Sequence, residues 1–270
     1  MMETAAAAEA NRQKALECLR LMRPMDDDFM RCMVKDNLPL VQEMLRIIMN
    51  KPDLVIIKCE TQKDMKRLGG ARSICLDAYG KDSENKKYDV EVEKSGKGAD
   101  PHRGRYYSSV IDIENLDAGQ EFTELPETYT IFITEKDIYG LGKPIYRIER
   151  MNLDTGKPYG DGQHILYVNG EYEGDSDIGK LMHDFRCSNA DDMLLPLMKK
   201  QAKYLKENPK GVSEMCKVLE DMCNEVREET LRTEKETTAL RILADGTLPL
   251  EKVAQFVGLP IDDVRKLQKA

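Results

Sequence analysis

Aromatic residues are scarce in this sequence, which has no Trp and only five Phe in 270 residues. Aliphatic residues and the fifteen Met must therefore fill most of the core that a chain of this length can bury. Also missing is any apolar run of the roughly 18 residues needed to cross a bilayer. The Ala-rich start is broken by charges and lacks the apolar centre of a secretory signal. We therefore predict a cytoplasmic protein without membrane contact.

Paired cysteines are missing as well. The seven Cys are scattered along the chain and none forms a C-x-x-C motif, so neither a disulfide framework nor a structural zinc site is predicted. We interpret these cysteines as small buried side chains in a reducing compartment. The three histidines, His102, His164 and His183, show no spacing typical of a metal triad. None of them is assigned a role.

Positive charge is in deficit, because 49 Asp and Glu outnumber 41 Lys and Arg and give a net charge of −8. This balance argues against a broad surface that coats nucleic acid. A local basic segment nevertheless runs from Lys94 to Arg105, directly after an acidic stretch that resembles a strand. We therefore expect any contact with nucleic acid to be confined to a small region of the surface.

The order of the predicted elements indicates an α/β fold. Three helices are predicted before residue 50, followed by strands that enclose a helix at about 100–116. Helices, a hairpin, a helix and further strands in this order are typical of an α/β core. We divide the chain into a main domain at 1–198, a helical extension at 199–243, and a module at 244–270 that resembles a helix-turn-helix.

The segment ICLDAYGKDSENKKYDVEVEK at residues 74–94 is typical of two strands joined by a polar turn. Side chains alternate between faces along a strand, so Asp89, Glu91 and Glu93 share one face of the second strand. If the two strands pair as a hairpin, Asp77 of the first strand can lie beside Glu91. The sequence thus predicts a group of carboxylates on this hairpin.

A group of carboxylates is typical of a metal site. Carboxylates a few ångströms apart repel each other, and a divalent cation between them removes this repulsion. Oxygen ligands suit Mg²⁺ or Mn²⁺, and bound Mg²⁺ keeps waters that phosphate oxygens can replace. Such an ion can activate water and stabilise the leaving oxygen of a phosphodiester. An acidic, exposed strand face without a metal is the alternative that the spacing leaves open.

The motifs around this hairpin resemble, as a set, the PD-(D/E)XK nuclease-like family that is grouped with transposases and recombination-promoting nucleases. The shared features are LDAY, the polar turn, YDVEVE, RGRYY and LPETYTIFI, with DIGKLMHDFRCSNADDM ahead of a long helix. The resemblance covers roughly residues 25–235. It implies a restriction-endonuclease-like core, with a mixed sheet flanked by helices. It also implies cleavage of DNA with Mg²⁺ or Mn²⁺ as the cofactor.

The resemblance further implies roles for individual residues. Asp77 would bind the metal, Glu91 would be the acid of the (D/E)-x-K element, and Glu93 occupies the Lys position. Lys94 is next to it, but the alternation of side chains places Lys94 on the opposite face. Glu93 is therefore interpreted as a metal ligand, a general base, or the mark of a degenerate site. Glu43, on the helix before the first strand, is a further candidate metal ligand.

The basic segment is predicted to bind DNA. Arg103 and Arg105 on the helix that follows the hairpin, together with Lys97, are expected to contact phosphates near the metal. Surface salt bridges are the alternative for the two arginines. Tyr106 and Tyr107 are predicted to belong to the core.

Three functions stay open at this stage. The first is a Mg²⁺-dependent DNA endonuclease, and the second is a catalytically degenerate relative that binds DNA or a protein partner, as Glu93 would suggest. The third is an interaction protein that forms a homo-oligomer through its C-terminal helices, in residues 212–243. Asp262 and Asp263 do not suit insertion of the last helix into a major groove. DNA binding by the terminal module therefore competes with a role in packing or self-association.

Overall fold

The computed structural model describes residues 2–65, 74–94, 98–246 and 248–269. Lys97, a predicted phosphate contact, lies outside these residues. The helices are, in chain order, α1 (Met2–Leu21), α2 (Asp27–Val34), α3 (Leu38–Met49), α4 (Pro101–Glu114), α5 (Asp177–Arg186), α6 (Pro196–Glu207), α7 (Pro209–Asp245), α8 (Leu250–Val257) and α9 (Ile261–Lys269). No described helix is both long enough and apolar enough to cross a membrane.

The strands form a mixed six-stranded sheet in the order β1-β2-β3-β4-β8-β5, and β6 pairs separately with β7. Their bounds are β1 (Ile56–Met65), β2 (Ile74–Asp82), β3 (Lys87–Glu93), β4 (Thr128–Thr134), β5 (Ile145–Ile148), β6 (Met151–Asn152), β7 (Lys157–Pro158) and β8 (Gln163–Asn169). Strands β3, β4 and β8 are parallel, whereas the other pairings are antiparallel. The predicted mixed sheet flanked by helices is confirmed.

The predicted hairpin is present as the antiparallel pair β2–β3, with Ala78 opposite Val90 and Tyr79 opposite Asp89. On its other side, strand β3 pairs in parallel with β4, and Glu91 lies beside Phe132 in this pairing. Every residue of β4 is buried, as expected for a parallel strand that is covered on both faces. The acidic strand β3 therefore lies inside the sheet and not at its edge.

Helix α4 covers the face of the sheet that carries the acidic residues. Its start is fixed by Asp100, whose side chain accepts from the backbone N–H of His102, and by Pro101 at the first helical position. At Gly104 the helix comes so close to the sheet that an added Cβ would lie 3.2 Å from Ile165. Ser108 contacts Thr130 of β4 at 3.1 Å. Small residues thus let α4 pack directly on the acidic face.

The opposite face of the sheet is covered by the N-terminal helices. Leu45 of α3 and Ile56 of β1 lie 3.8 Å from the position of a Cβ on Gly80, which identifies this face as the one opposite to α4. The apolar residues Val90 and Val92 of β3 are buried. The alternation in YDVEVE therefore separates an apolar face under the N-terminal helices from an acidic face under α4.

The described chain divides into two compact units, residues 1–215 and 216–270. The second unit has its own core, formed by Ala239, Val253, Ala254, Val257 and Val264. Gly258 ends α8 in the left-handed region with φ of 64°, as the predicted turn requires. The domain boundaries predicted after residues 198 and 243, and the helix-turn-helix character of the last module, stay predictions.

Candidate functional site

The hairpin brings the carboxyl groups of Asp77 and Glu91 together. The backbone N–H of Asp77 donates to Oε1 of Glu91 at 3.1 Å, and the backbone N–H of Val92 donates to Oδ2 of Asp77 at 3.3 Å. Each carboxyl group therefore lies against the other's strand, as the alternation of side chains predicts. The side chain of Asp77 is 19% exposed and that of Glu91 only 1%, so the pair sits where the interior opens toward solvent.

Arg103 of α4 forms ion pairs with both Glu91 and Glu93 of β3. Its guanidinium donates to Oε2 of Glu91 at 2.6 Å, forms an ion pair with Glu93, and donates to the carbonyl of Gly98 at 2.9 Å. The same guanidinium lies over the ring of Tyr107, 4.8 Å from its centroid. Glu91 and Glu93 thus point to the same side of the strand. The guanidinium of Arg103, a predicted phosphate contact, therefore lies beside the carboxyl groups of Glu91 and Glu93.

Asp89 is a third acid under α4, and the sequence analysis gave it no role. It is fully buried, and no N–H or O–H group in the described part of the chain donates a hydrogen bond to either of its carboxyl oxygens by geometry alone. Burial, with the charge of Asp77, holds the pKa of Asp89 well above its usual range. A hydrogen bond from Glu91 to Asp89 lowers this pKa, but Glu91 can donate it only while its own carboxyl group is protonated.

The ionised forms of Asp77 and Glu91 are also disfavoured. Burial is the main cause that raises the pKa of Asp77 to about 7, with the charge of Asp27 adding to it and Arg31 opposing it. Burial, together with Asp89 and Asp77, holds the pKa of Glu91 far above its usual range, although Arg103 opposes this shift. Several carboxyl groups share a site with too little positive charge, which is the electrostatic signature of a site that favours a cation.

The start of α2 adds charges that the sequence analysis did not assign to the site. Arg31 bonds to Asp27 through Nε at 2.9 Å and lies 3.3 Å from Asp28. Its Nε is also 3.8 Å from Oδ1 of Asp77. The available signal was the run of three Asp before an Arg at helical spacing in MDDDFMR. Taken alone, that segment predicts only a helix.

No hydrogen bond or ion pair of the described residues joins Glu43 to this group of acids, and its role as a metal ligand stays a prediction. It lies on α3, and α3 packs against α5. Burial and the charge of Asp184 raise the pKa of Glu43. Its buried Oε2 has no hydrogen-bond partner among the described residues. Asp27 of α2, and not Glu43 of α3, is thus the helix acid whose charge acts on Asp77.

The remaining basic residues lie around the site in different ways. Lys94 forms an ion pair with Asp26 at the start of α2, away from Glu93 as predicted. Arg105 is exposed and lines a cavity of about 790 Å³ that Arg103 also borders, with Tyr106 and His102. Tyr107 belongs to the core, as predicted, together with Tyr79 and neighbouring residues of α4.

The fold and this group of acids agree with a comparison against known families. A family model described as PD-(D/E)XK nuclease family transposase matches residues 34–239. The chain belongs to this family. No curated protein and no solved structure matches it. The matched region includes Asp77, Glu91, Glu93 and Arg103 and begins after Asp27 and Arg31, so the contribution of α2 comes from the structure alone.

The donors present fit the divalent ion that PD-(D/E)XK nucleases generally use. Asp77 and Glu91 offer carboxylate oxygens, which are hard ligands of the type that Mg²⁺ and Mn²⁺ prefer. The buried oxygens of Asp89 lack a hydrogen-bond donor among the described residues, so the region holds more carboxyl groups than its donors and cations can pair with. This excess of carboxylate supports binding of a cation.

Proposed function

We propose that this protein is a metal-dependent DNA endonuclease that hydrolyses phosphodiester bonds, with Mg²⁺ or Mn²⁺ as its cofactor. The observation that carries the proposal is the meeting of Asp77 and Glu91 across β2 and β3. Burial is the main cause that raises the pKa of both, with the charge of Asp27 adding to the shift of Asp77 and the charges of Asp89 and Asp77 adding to that of Glu91. A nuclease-like function follows from the family. The DNA substrate, the endonucleolytic mode and the identity of the metal are our proposals.

Asp77 and Glu91 would hold the ion, and Asp27 lies near enough for its charge to act on Asp77. When bound, a divalent ion lowers the pKa of a coordinated water and stabilises the charge that develops on a phosphodiester. The protein's own part is to fix the ligands. Backbone N–H groups of Asp77 and Val92 hold the two carboxylates, so their geometry does not depend on the ion.

Arg103 supplies the positive charge that the family motif places on the strand. Glu93 stands at the Lys position, and the guanidinium of Arg103 reaches both Glu93 and Glu91 from α4. A fixed cation at this point can stabilise negative charge on an attacking water or a phosphate. Glu93 then orients Arg103 and is the candidate general base. In this arrangement the positive charge that the motif's Lys would supply from β3 is supplied by Arg103 from α4.

DNA would approach along the start of α4. Arg105 is exposed there and lines the cavity that Arg103 borders. Lys97 belongs to the same basic segment of the sequence. A negative net charge keeps the rest of the surface away from phosphates. The contact with DNA is therefore small, and the metal contributes to binding the scissile phosphate.

A catalytically degenerate relative is the second candidate, and one observation favours it. Arg103 forms ion pairs with both Glu91 and Glu93, as an arginine with a purely structural role would. In that case the chain would bind DNA or a protein partner without cutting. Self-association through the C-terminal helices and a cytoplasmic location are further predictions. Comparing the solution mass of the full chain with that of one protomer tests the first of these.

A plasmid-nicking assay with Mg²⁺ or Mn²⁺ tests the proposed activity. We expect the wild type to convert supercoiled DNA to open circles, and Asp77→Ala and Glu91→Ala to reduce the rate by at least about a hundredfold. Glu84→Ala removes an exposed acid from the turn of the same hairpin and should leave the rate unchanged. Glu93→Lys restores the usual residue and tests whether Arg103 has taken its place.

The outcomes separate the two candidates. Metal-dependent nicking that is lost in Asp77→Ala and Glu91→Ala supports the endonuclease. Activity that survives both substitutions would discard the proposed site. DNA binding without nicking by either the wild type or Glu93→Lys would favour the degenerate relative.

A further inference from the structure

We propose that His183, Asp184 and Cys187 form a second metal site, which takes Zn²⁺ or another divalent cation that prefers thiolate and imidazole. The three residues lie at the end of α5, outside the carboxylate group of β2 and β3. One potential ligand atom from each lies within 4.8 Å of the others. The proposal concerns a different site from the proposed nuclease centre and does not depend on that activity.

The local structure explains why these side chains meet. His183 and Cys187 are four residues apart at the end of α5 and therefore share one face of its last turn. Sγ of Cys187 lies 3.6 Å from Nδ1 and 3.9 Å from Nε2 of His183, and the thiol donates to the carbonyl of His183 at 3.4 Å. Oδ1 of Asp184 lies 3.1 Å from Nδ1 of His183. One imidazole nitrogen thus faces both a sulfur and a carboxylate oxygen.

These distances fit the edges of a coordination tetrahedron. With Zn–S of about 2.3 Å and Zn–N and Zn–O of about 2.1 Å, tetrahedral geometry places sulfur and nitrogen about 3.6 Å apart. It places nitrogen and oxygen about 3.4 Å apart. The sulfur–nitrogen separation of 3.6 Å matches this geometry and the nitrogen–oxygen separation of 3.1 Å is slightly shorter, while sulfur and oxygen lie within 4.8 Å of each other. A single Nδ1–H, by contrast, can donate well to only one of its two neighbours.

The site is held on one side and open on the other. Asp184 is fully buried, and its two oxygens accept the backbone N–H groups of Leu194 and Leu195 at 2.7 and 2.8 Å. These bonds fix the carboxylate in place and leave it able to bind a cation. The side chain of His183 is 42% exposed. An ion can therefore reach the site from solvent without unfolding.

The surrounding charge favours a cation. Asp184 and Asp192 both place negative charge around the Cys187 sulfur. Glu43 has a buried Oε2 without a hydrogen-bond partner among the described residues, and the charge of Asp184 acts on it. Arg186, the positive neighbour, directs its guanidinium to the carbonyls of Gly170 and Tyr172. The negative charge at the end of α5 is thus only partly offset.

The donor set decides which metal the site takes. A thiolate and an imidazole select Zn²⁺ and similar ions over Mg²⁺, which prefers oxygen ligands. All three ligands belong to the last turn of α5 and the residue after it, so an ion here would keep a fourth position for water. The sequence did not reveal this site because its ligands are of three kinds and form no C-x-x-C motif.

Cobalt titration of the chelator-treated, reduced full-length protein tests the proposal. We expect an absorption band from charge transfer between thiolate and cobalt that saturates at one Co²⁺ per chain, and loss of the band when Zn²⁺ is added. Co²⁺ held by the carboxylates of Asp77 and Glu91 has no thiolate ligand and does not contribute to this band. Cys187→Ser should abolish the band, and His183→Gln should weaken binding by more than about tenfold. Cys18→Ser and His102→Gln change an exposed cysteine and an exposed histidine elsewhere and should bind as the wild type does.

Two results would overturn the proposal: no band in the wild type, or a band of equal intensity in Cys187→Ser. Circular dichroism of each variant shows whether the fold is kept, and Asp184 is left intact for this reason. Asp77→Ala should retain the full cobalt band even if it abolishes nicking. Failure of the nuclease proposal and failure of this one are therefore distinguishable.

Discussion

At the scale of single residues, the acids under α4 are held in an unfavourable state. Asp89 and Glu91 are buried, and a buried charge is strongly disfavoured unless it is paired. Arg103 pairs with Glu91 and Glu93, but Asp89 keeps two oxygens without donors in the described part of the chain. A buried carboxyl group without a partner lowers the stability of the fold, so its presence indicates a site that serves function at the expense of stability.

The first prediction concerns the pH dependence of stability without metal. The folded state raises the pKa of Asp77 from 3.8 to about 7, and it shifts Glu91 and Asp89 in the same direction. The stability that the neutral carboxyl group of Asp77 contributes is complete below about pH 3.8 and is lost as the pH rises through about 7. We expect the melting temperature of the metal-free protein to fall between about pH 5 and about pH 8.

Asp77→Asn is the matched variant, because an amide cannot ionise. Its melting temperature should fall less over the same pH range, and Mg²⁺ should raise the wild-type melting temperature at the higher pH more than that of the variant. An equal fall in both proteins would show that Asp77 does not titrate as the structure indicates.

The second prediction compares two arginines on α4. Arg103→Ala leaves buried Glu91 without its ion-pair partner and should lower the free energy of unfolding by about 1–3 kcal/mol. Arg105→Ala removes an exposed side chain of the same helix and should change it by less than about 0.5 kcal/mol. Urea denaturation at neutral pH measures both values. Equal effects of the two substitutions would contradict the role assigned to Arg103.

At the scale of elements, the β2–β3 hairpin could be predicted from the sequence, but the helix that packs on its acidic face could not. Alternation in YDVEVE and the polar turn before it were enough to place Asp77 beside Glu91, because strand periodicity determines which side chains share a face. Periodicity does not say which helix covers that face. The burial of Asp89 and the ion pairs of Arg103 therefore came only from the structure.

The helix that supplies the additional acid was also beyond the sequence. Glu43 and Asp27 both lie on helices that precede β1, and nothing in the sequence around them shows which of the two lies near Asp77. The difference arises from packing, since α3 lies against α5 whereas the start of α2 lies near Asp77. Such long-range packing has no signature in a single sequence.

The third prediction tests the close approach of α4 to the sheet. Gly104→Val adds a branched side chain where even a Cβ would lie 3.2 Å from Ile165, and overpacking of this kind costs about 1–3 kcal/mol. The shift of α4 should move the neighbouring Arg103 and reduce nicking by more than the loss of folded protein explains. Ser109→Val introduces the same side chain at an exposed position of α4 and should leave stability nearly unchanged. Similar losses of stability in both variants would contradict the packing described.

At the scale of the whole molecule, the net charge of −8 limits how DNA can bind. A duplex site that neutralises only two or three phosphates gives a plot of log K against log salt with a slope of about −2 to −3. The fourth prediction is a slope in this range for a short duplex in Ca²⁺, and a slope shallower by about 1 for Arg105→Ala. A much steeper wild-type slope would indicate a wide basic surface that the net charge argues against.

The family and the α/β architecture were recognisable from the sequence because several weak motifs occur together in the right order. The activity could not be read in the same way, since Glu93 departs from the motif and the positive charge beside it comes from Arg103 on α4. The His183–Asp184–Cys187 group was missed because three different ligand types within one helical turn form no recognisable motif.

Titration with Mn²⁺ at about pH 8 tests the central claim most directly, since Asp77, with a pKa of about 7, is then ionised and can bind the ion. The titration uses the Cys187→Ser background, in which the second proposed site has lost its thiolate. The account predicts one Mn²⁺ per chain in that protein, and loss of binding when Asp77→Asn or Glu91→Gln is added. Unchanged stoichiometry and affinity in both would contradict it.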